Sequence, residues 1–517
     1  MNKLKFAFIA LAVSASQSIW AGGLLTNTNN NIAFNRNFAR DGAIGIDGVY
    51  SNPAGVAFLS KGLHLSFNVQ NAYQTRTIVS GMTIPAFQGT PYYQPLKMNG
   101  GDENGNKKFV GEASVPFLPS IQIAKNYDKW GFQMGFSLVG GGGKCTFNDG
   151  LGSFERQIAL IPAVLQSMGL TTTTPGYSVD SYIKGQQYVF GLQLGTTYKF
   201  NEHIAAYGGF RFNYIYNKYQ GSITNIHANI AGNDEKLYDY IGAAAKNYQT
   251  TADLYSVQAA AITDPVKSEW LQNAAAAYQD AANKFATAQS NFADRYLDCT
   301  QTGWGITPIV GLDVKYGKFN LGTRLEFTNH LNIENDTKVD DTGLFQNGVN
   351  TPNDLPGLFT IGGQYEILPS VRVMASYHYF FDKDAKMAND KQKYLSGNTK
   401  EYLAGAEWDV TKGITVSCGL QRTKYGLGDG TYLNDMSFVT SSHSYGFGAK
   451  IKVTKNASLN IAYFWTNYEH FKKEYTQTFS AGANSLSAQC TDDFTRTNTD
   501  DFTRTNKVLG VGLDIDL

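Results

Sequence analysis

The chain ends in VLGVGLDIDL, residues 508–517, apolar at every second place up to the terminal carboxylate. Leu509, Val511, Leu513, Ile515 and Leu517 fall on one side of an extended chain, and Val508, Gly510, Gly512, Asp514 and Asp516 on the other. Period-two alternation marks a strand whose two faces meet different surroundings. A strand left alone at a terminus frays or stands as a sheet edge. One sealed into a closed sheet does neither, and the rest of the chain decides between the two.

Working outward, similar segments recur near 62–72, 118–127, 131–139, 186–200, 203–217, 304–316, 319–331, 357–367, 371–381, 400–410, 414–424, 443–453, 457–468 and 507–517. That makes fourteen, an even number, each close to the roughly 9–11 residues that cross a bilayer as a tilted strand. The connections between them alternate between turns of a few residues and long loops near 73–117, 140–185, 218–303, 332–356, 382–399, 425–442 and 469–506. Short turns at one rim and long loops at the other are the layout of a transmembrane antiparallel β-barrel. The last strand is then expected to close against the first, its odd-numbered residues facing lipid.

Charge sets the register. With Phe319, Leu321, Leu325 and Phe327 outward, Arg324 and Glu326 point into the lumen. Val371, Val373 and Tyr377 outward place Arg372 inside, and Phe210, Phe212 and Tyr214 place Arg211 inside. The opposite register would put three Arg against lipid at roughly 2–4 kcal/mol each near the midplane. Asp313, Glu407 and Lys450 join the inward set.

Composition agrees with an all-β chain. Tyr (31), Phe (32) and Gly (53) are abundant and Pro (13) is scarce, which suits aromatic girdles and tight turns. The formal charge is zero, so a nucleic-acid partner, which wants a basic excess, is not expected. Residues 1–21 read as a secretory signal, with Lys3 and Lys5 ahead of an apolar run and Ala21 at the cleavage point. No later stretch is apolar and long enough for a helical anchor. The expected location is a Gram-negative-type outer membrane, in contact with its lipids, as a monomer.

Residues 22–61 do not alternate; they are Asn-rich, then punctuated by Gly, and are expected to fold into the polar lumen as a hatch ahead of the barrel, 62–517. Within the longest loop, Tyr278, Ala281, Phe285, Ala288, Phe292 and Tyr296 recur at helical spacing after an Asp264–Pro265 start, and Leu237, Ile241, Ala244, Tyr248 and Tyr255 do so upstream. A helical hairpin over about 236–298 follows. A second helical stretch, SFERQIALIPAVLQSMG, is expected to kink at Pro162. These loop helices either pack on themselves or offer ligand an apolar landing surface. Residues 492–506 nearly repeat an eight-residue unit, DDFTRTNT, to which no chemistry attaches. Cys145, Cys299 and Cys490 are expected in loops, where one pair could bridge, and Cys418 as a buried or lipid-facing thiol.

GAIGIDGVYSNPAG, with Gly42, Ala43, Asp47, Asn52, Pro53, Ala54 and Gly55, resembles the amino-terminal hatch of the FadL/TodX-type family of outer-membrane transporters for long-chain fatty acids and other hydrophobic compounds. GGGGKCTFNDG after the third strand and DLPGLFTIGGQYEILPSVRVMASYHYFF over the eighth and ninth match it as well. The resemblance implies a fourteen-strand barrel plugged by a hatch, a hydrophobic small-molecule substrate, and a kink of the third strand at Gly140, Gly141, Gly142 and Gly143 that opens the wall sideways. An anionic head group would need a charge partner, for which Arg211, Arg324 and Arg372 are the candidates; bracing of the barrel by pairing with Glu326, Asp313 or Glu407 is the plainer alternative.

Catalytic chemistry is not expected. GGGGKC lacks the first Gly and the Ser/Thr of a phosphate loop, Leu138 and Cys145 standing there instead. No metal-ligand cluster or nucleophile elbow is evident, so no metal, cofactor or enzymatic activity is assigned. A surface protein or diffusion porin whose loops bind host or ligand is the alternative to a transporter, and a barrel enzyme trails both.

Overall fold

A computed structural model describes residues 26–167, 169–170, 174–481, 484–495 and 506–517. The signal segment 1–21 lies outside them, as do residues 496–505 of the repeat. Fourteen antiparallel strands close into a ring. They are β1 (Gly62–Thr83), β2 (Asn106–Asn126), β3 (Trp130–Phe147), β4 (Tyr177–Lys199), β5 (Ile204–Ile230), β6 (Arg295–Tyr316), β7 (Phe319–Glu326), β8 (Leu358–Leu368), β9 (Val371–Phe380), β10 (Gly397–Thr411), β11 (Ile414–Gly426), β12 (Ser442–Lys452), β13 (Ala457–Tyr468) and β14 (Asn506–Asp516). β14 pairs with β1 from His64↔Asp516 to Tyr73↔Lys507 and with β13 on its other side, so the alternating carboxy-terminal strand closes the ring.

The register read from charge holds. Leu509, Val511 and Leu513 are exposed while Val508 and Asp514 are buried. Phe210 and Phe212 stand outside and Arg211 inside; Phe319 and Phe327 flank buried Arg324 and Glu326. Inside, the wall presents Ser66, Asn68, Gln70, Gln122, Gln133, Gln193, Asn213 and Asn320, all buried. Outside, aromatic rings gather at two heights. Near the short turns Trp130 packs on Tyr198 at 4.7 Å and Tyr198 on Phe200 at 5.0 Å; higher up, Phe212 meets Trp304 at 5.9 Å and Tyr445 meets Trp465 at 5.3 Å. Trp304 and Tyr316 are both exposed on β6, twelve residues apart. At about 3.3 Å per residue and a tilt near 40° that is roughly 30 Å, the height of a bilayer core.

Several strands outrun the membrane. β4 and β5 have 23 and 27 residues, and β1 and β2 continue as a hairpin into what the sequence presents as loop 73–117. A separate hairpin, Phe471–Ala481 with Asn484–Thr495, stands on the extension of β1. The long loops pack into apolar clusters above the lumen, one around Phe109, Phe147, Leu151, Phe438 and Phe494, another around Ile84, Leu96, Ile158, Ile161 and Leu165. The kinked stretch forms two helices, α2 (Gly152–Ile158) and α3 (Ile161–Ser167), broken just before Pro162 and packed into these clusters. The predicted hairpin is α4 (Leu237–Ala261) and α5 (Pro265–Ser290), with Asp264 accepting from the Val266 and Lys267 amides. Tyr248 stacks on Phe285 at 5.0 Å and Tyr255 meets Tyr278 at 5.4 Å, so the helices pack on one another; Phe292 and Tyr296 lie beyond α5.

The cysteine expectation is corrected. Cys145 lies in β3, Cys299 in β6 and Cys490 in the outer hairpin, all buried and none in a disulfide; Cys418 is a thiol exposed on the lipid side of β11. The long upper strands carry the first three into sheet that the loop reading does not foresee.

Val511 sits mid-strand on the lipid face. Val511→Arg is expected to cost roughly 2–4 kcal/mol of barrel stability, read as a lower denaturation midpoint in lipid vesicles; an unchanged midpoint would contradict the register.

Candidate functional site

The pairing of β2 with β3 is interrupted, and a cavity lies beside the interruption. β2 pairs with β3 from Gly111↔Phe147 to Ser114↔Lys144 and again from Ile121↔Phe136 to Asn126↔Gly131; residues 115–120 and 137–143 between these runs do not pair with one another. Each strand supplies a reason. β2 carries Pro116 and Pro119 there, which cannot donate to a ladder. β3 carries Gly140–Gly143, with Gly141 at φ +97° and Gly143 at φ +68°, and its pairing with β4 slips at Val139 and again across Gly141 and Gly142. A Cβ at Gly141 would sit 2.3 Å from the Gln187 carbonyl oxygen. The four glycines are thus a bend inside a strand rather than the start of a loop.

The amino-terminal segment occupies the bend. Thr26 forms an antiparallel bridge with Gly140, the Asn27 amide donates to the Val139 carbonyl at 2.8 Å, and Ser137 donates to the Asn30 side chain at 2.6 Å. Backbone groups that β2 leaves unpaired therefore find partners in the segment instead. The cavity next to it has a volume of about 230 Å³. Gly141–Gly143, Thr26–Asn29, Phe34, Phe38, Leu118, Leu138 and Phe464 line it, with Gln421, Thr423, Ser444 and Thr466 on the opposite wall. Arg76 also lines it and donates to Gln74 at 3.2 Å and the Gly142 carbonyl at 3.4 Å. Arg76 and Pro116 escape the sequence reading because they lie in extensions of β1 and β2 that read as loop, and Pro119 stands in the strand read over 118–127 without being singled out; two Pro three residues apart in one long strand are the signal that could have found the break.

Below the cavity, residues 30–59 are almost wholly buried inside the ring. The short helix α1 (Ile32–Arg36) starts at Asn31, whose side chain accepts from the Ala33 amide and donates to Gln122 at 2.8 Å. Polar ties then reach round the wall. Arg36 donates to Glu407 and to Ser417, each at 2.8 Å. Arg40 donates to Glu407 at 3.0 Å and forms a paired contact with Asp47 at 2.8 and 3.0 Å. His378 sits between Asp41 (2.8 Å) and Glu401 (2.9 Å). In the matched motif Asn52 donates to Asp313 at 2.6 Å, Gln133 donates to the Pro53 carbonyl at 2.7 Å, and Ala54 is fully buried with Tyr207 and Ile309. Gly55 donates its amide to Asn52, and a Cβ there would sit 2.3 Å from the Asn52 side-chain nitrogen.

Two of the three candidate arginines, Arg211 and Arg324, meet at one carboxylate, and Arg372 stands apart. Arg211 holds Glu326 through both terminal nitrogens at 2.7 and 2.8 Å, and Arg324 approaches the same carboxylate at 3.3 Å. Arg372 holds Asp409 at 2.7 and 2.8 Å and reaches Glu407 at 3.4 Å. None of the three lines the cavity beside the bend. Lys450 faces the lumen side and pairs with Asp514 at 3.3 Å.

Glu407 thus takes two guanidinium groups from the amino-terminal segment and one from the wall. Removing one charge from a buried pair costs roughly 3–5 kcal/mol because the partner is left uncompensated. Glu407→Gln is expected to loosen residues 30–50 while Arg372 keeps Asp409. Faster proteolysis in that segment and raised bilayer conductance would report it; a variant as resistant and as silent as the parent would rule the anchor out.

No family model and no curated protein sequence matches the chain. Among solved structures, a FadL homologue of Pseudomonas aeruginosa aligns over 96% of this chain and 100% of its own, with TM-score 0.56 and 13% identity. The toluene transporters TodX of P. putida (11% identity) and TbuX of Ralstonia pickettii (10%) each align over 92% of this chain and 94% of their own, at TM-score 0.45, too low to carry weight. The resemblance read from the hatch motif holds at the level of fold: this chain has the plan of the FadL homologue's barrel.

Proposed function

We propose that the chain is an outer-membrane transporter that takes up hydrophobic small molecules, fatty-acid-like ones among them, through a barrel plugged by residues 22–61, with exit sideways between β2 and β3. The observation that carries this reading is the unpaired stretch of wall beside a partly apolar cavity. A sheet in lipid resists such a break, because each unsatisfied backbone group there costs several kcal/mol. An opening of this kind suits a cargo that gains by entering lipid and loses by entering water. A diffusion porin has no use for a wall gap, and a lumen filled by buried, ion-paired residues supports transport over open diffusion.

For a carboxylate-bearing cargo the head group needs a charge partner. The ion pairs of Arg211, Arg324 and Arg372 favour bracing, and Arg76, in the cavity lining, is the nearer partner. Binding of a long-chain acid and of the matching alcohol separates the roles. Arg76→Gln is expected to weaken the acid tenfold or more and leave the alcohol unchanged. Selective loss of the acid in Arg211→Ala, Arg324→Ala or Arg372→Ala would instead return the role to that residue.

Replacing Gly141 and Gly142 with Val is expected to straighten β3 and abolish uptake of an apolar substrate, since φ +97° and the Gln187 carbonyl both exclude a side chain at Gly141. Undiminished uptake by a correctly folded double variant would sink the lateral route.

A further inference from the structure

A second and larger cavity, about 410 Å³, lies in the packed loops above the lumen, and its charges do not balance. It is bounded by α2, by residues 389–394, by residues 431–435 and by the outer hairpin. Arg156, Lys391 and Lys473 face it, against Asp435 and Asp492. Arg156 is spoken for: it pairs with Asp492 and donates to the Tyr475 hydroxyl at 2.6 Å. Asp435 accepts from the Ser153 amide at 2.7 Å, and burial together with the Asp492 charge pushes its carboxyl up, toward the neutral form.

The two lysines are left. Lys473 donates to the Leu433 carbonyl at 2.9 Å and stands over the Tyr475 ring at 5.0 Å. Lys391 is buried, its ammonium lies 4.5 Å from the centre of the Tyr432 ring, and it has no hydrogen-bond acceptor. Asn389 and Asp390, at φ 50° and 57°, turn the chain so that Lys391 points inward; these residue types tolerate the left-handed region. Neighbouring Asp390 gives its carboxylate to Lys393 at 2.7 Å. The charge that acts on Lys391 is that of Lys473, another cation. A buried ammonium facing a second ammonium costs free energy unless an anion joins them. A π-face offsets only part of that cost.

We propose that this cavity is a binding site for an organic monoanion, a carboxylate on a small aromatic or short aliphatic body, with Lys391 and Lys473 as its charge partners. Arg156 and Asp492 cancel, so the ligand's charge partners are the two lysines, and a carboxylate on an organic body fits the ring-lined wall better than a phosphate does. Tyr432, Tyr475 and Leu433 supply surface for the body. The volume falls in the roughly 300–1,000 Å³ range of small-molecule sites. The site stands apart from the wall opening and does not depend on transport.

Burial and Lys473 lower Lys391 to about 7. An anion stabilises the ammonium form, so binding at pH 7.5 takes up a proton, and affinity falls as pH rises. Asp435 ionises over a rise in pH as well and acts in the same direction.

The test is calorimetric titration of the full chain in an uncharged detergent with benzoate, benzyl alcohol and inorganic phosphate. Benzoate is expected to bind saturably with proton uptake, and the alcohol and phosphate at least tenfold more weakly. Lys391→Met and Lys473→Gln are each expected to weaken benzoate tenfold or more, and Lys391→Met to reduce the proton uptake. Absence of saturable benzoate binding, equal affinity for the alcohol, or tighter binding of phosphate would overturn the proposal. So would benzoate binding that survives both lysine variants but is lost in Arg76→Gln, which places it in the lumen. If Lys391→Met fails to fold, Lys473→Gln decides alone.

Discussion

Every backbone amide and carbonyl that meets hydrocarbon must have a partner, and the architecture follows from that constraint. It forces the closure of β14 on β1, which the alternation of residues 508–517 prepares. It also makes the interval between β2 and β3 the feature most in need of a cause. Pro116 and Pro119 remove donors on one side, and the glycines bend the other side away. Thr26 and Asn27 then supply the pairing that β2 withholds. The break is tolerable because the chain's own amino-terminal segment covers it.

A polar lumen imposes the complementary constraint. Side chains that cannot face lipid must face one another or a filler, and residues 30–59 are that filler. They are held by few long-range charges and many amides: Glu407 gathers Arg36 and Arg40, Asp313 takes Asn52, and Gln133 and Gln193 donate to the carbonyls of Pro53 and Val49. Each tie exchanges one polar partner for another, so its net value is modest, on the order of 1 kcal/mol for a neutral hydrogen bond. Such a filler is specific in position through many small ties rather than one large one.

Legibility from sequence followed the strength of the local physical rule. Strand number and register were plain because a wrong register would set Arg211, Arg324 and Arg372 in lipid. The helical hairpin was plain because Asp264–Pro265 and the three-four spacing agree. The bend at Gly140–Gly143 was visible as a feature, but the break needs Pro116 and Pro119 in register with it, and register between β2 and β3 is a tertiary fact. The cysteines were misplaced because upper strands that pack on loops carry no lipid-facing alternation to betray them. Ligand residues were the least legible. Arginine inside a barrel announces a charge, yet whether it meets a neighbour or a guest depends on acids such as Glu326 and Asp409 that only the fold brings near.

The amino-terminal segment links these parts mechanically. Residues 26–29 line the cavity, Thr26 and Asn27 pairing with the bend, and seven residues on from Asn29 Arg36 enters the Glu407 cluster. Phe34 and Phe38, from the same stretch, form part of the cavity wall and pack against each other at 5.5 Å, with Phe38 against Phe464 of β13 at 5.6 Å. The aromatic pair thus stands between the cavity and the Arg36 contact, with the Thr26 bridge at the start of the same segment. The cover of the wall break and the Arg36 ion pair are the two ends of eleven residues that run from the bend into α1. Ring and filler divide the labour: the ring keeps the backbone satisfied in lipid, and the filler satisfies the polar side chains that the ring turns inward.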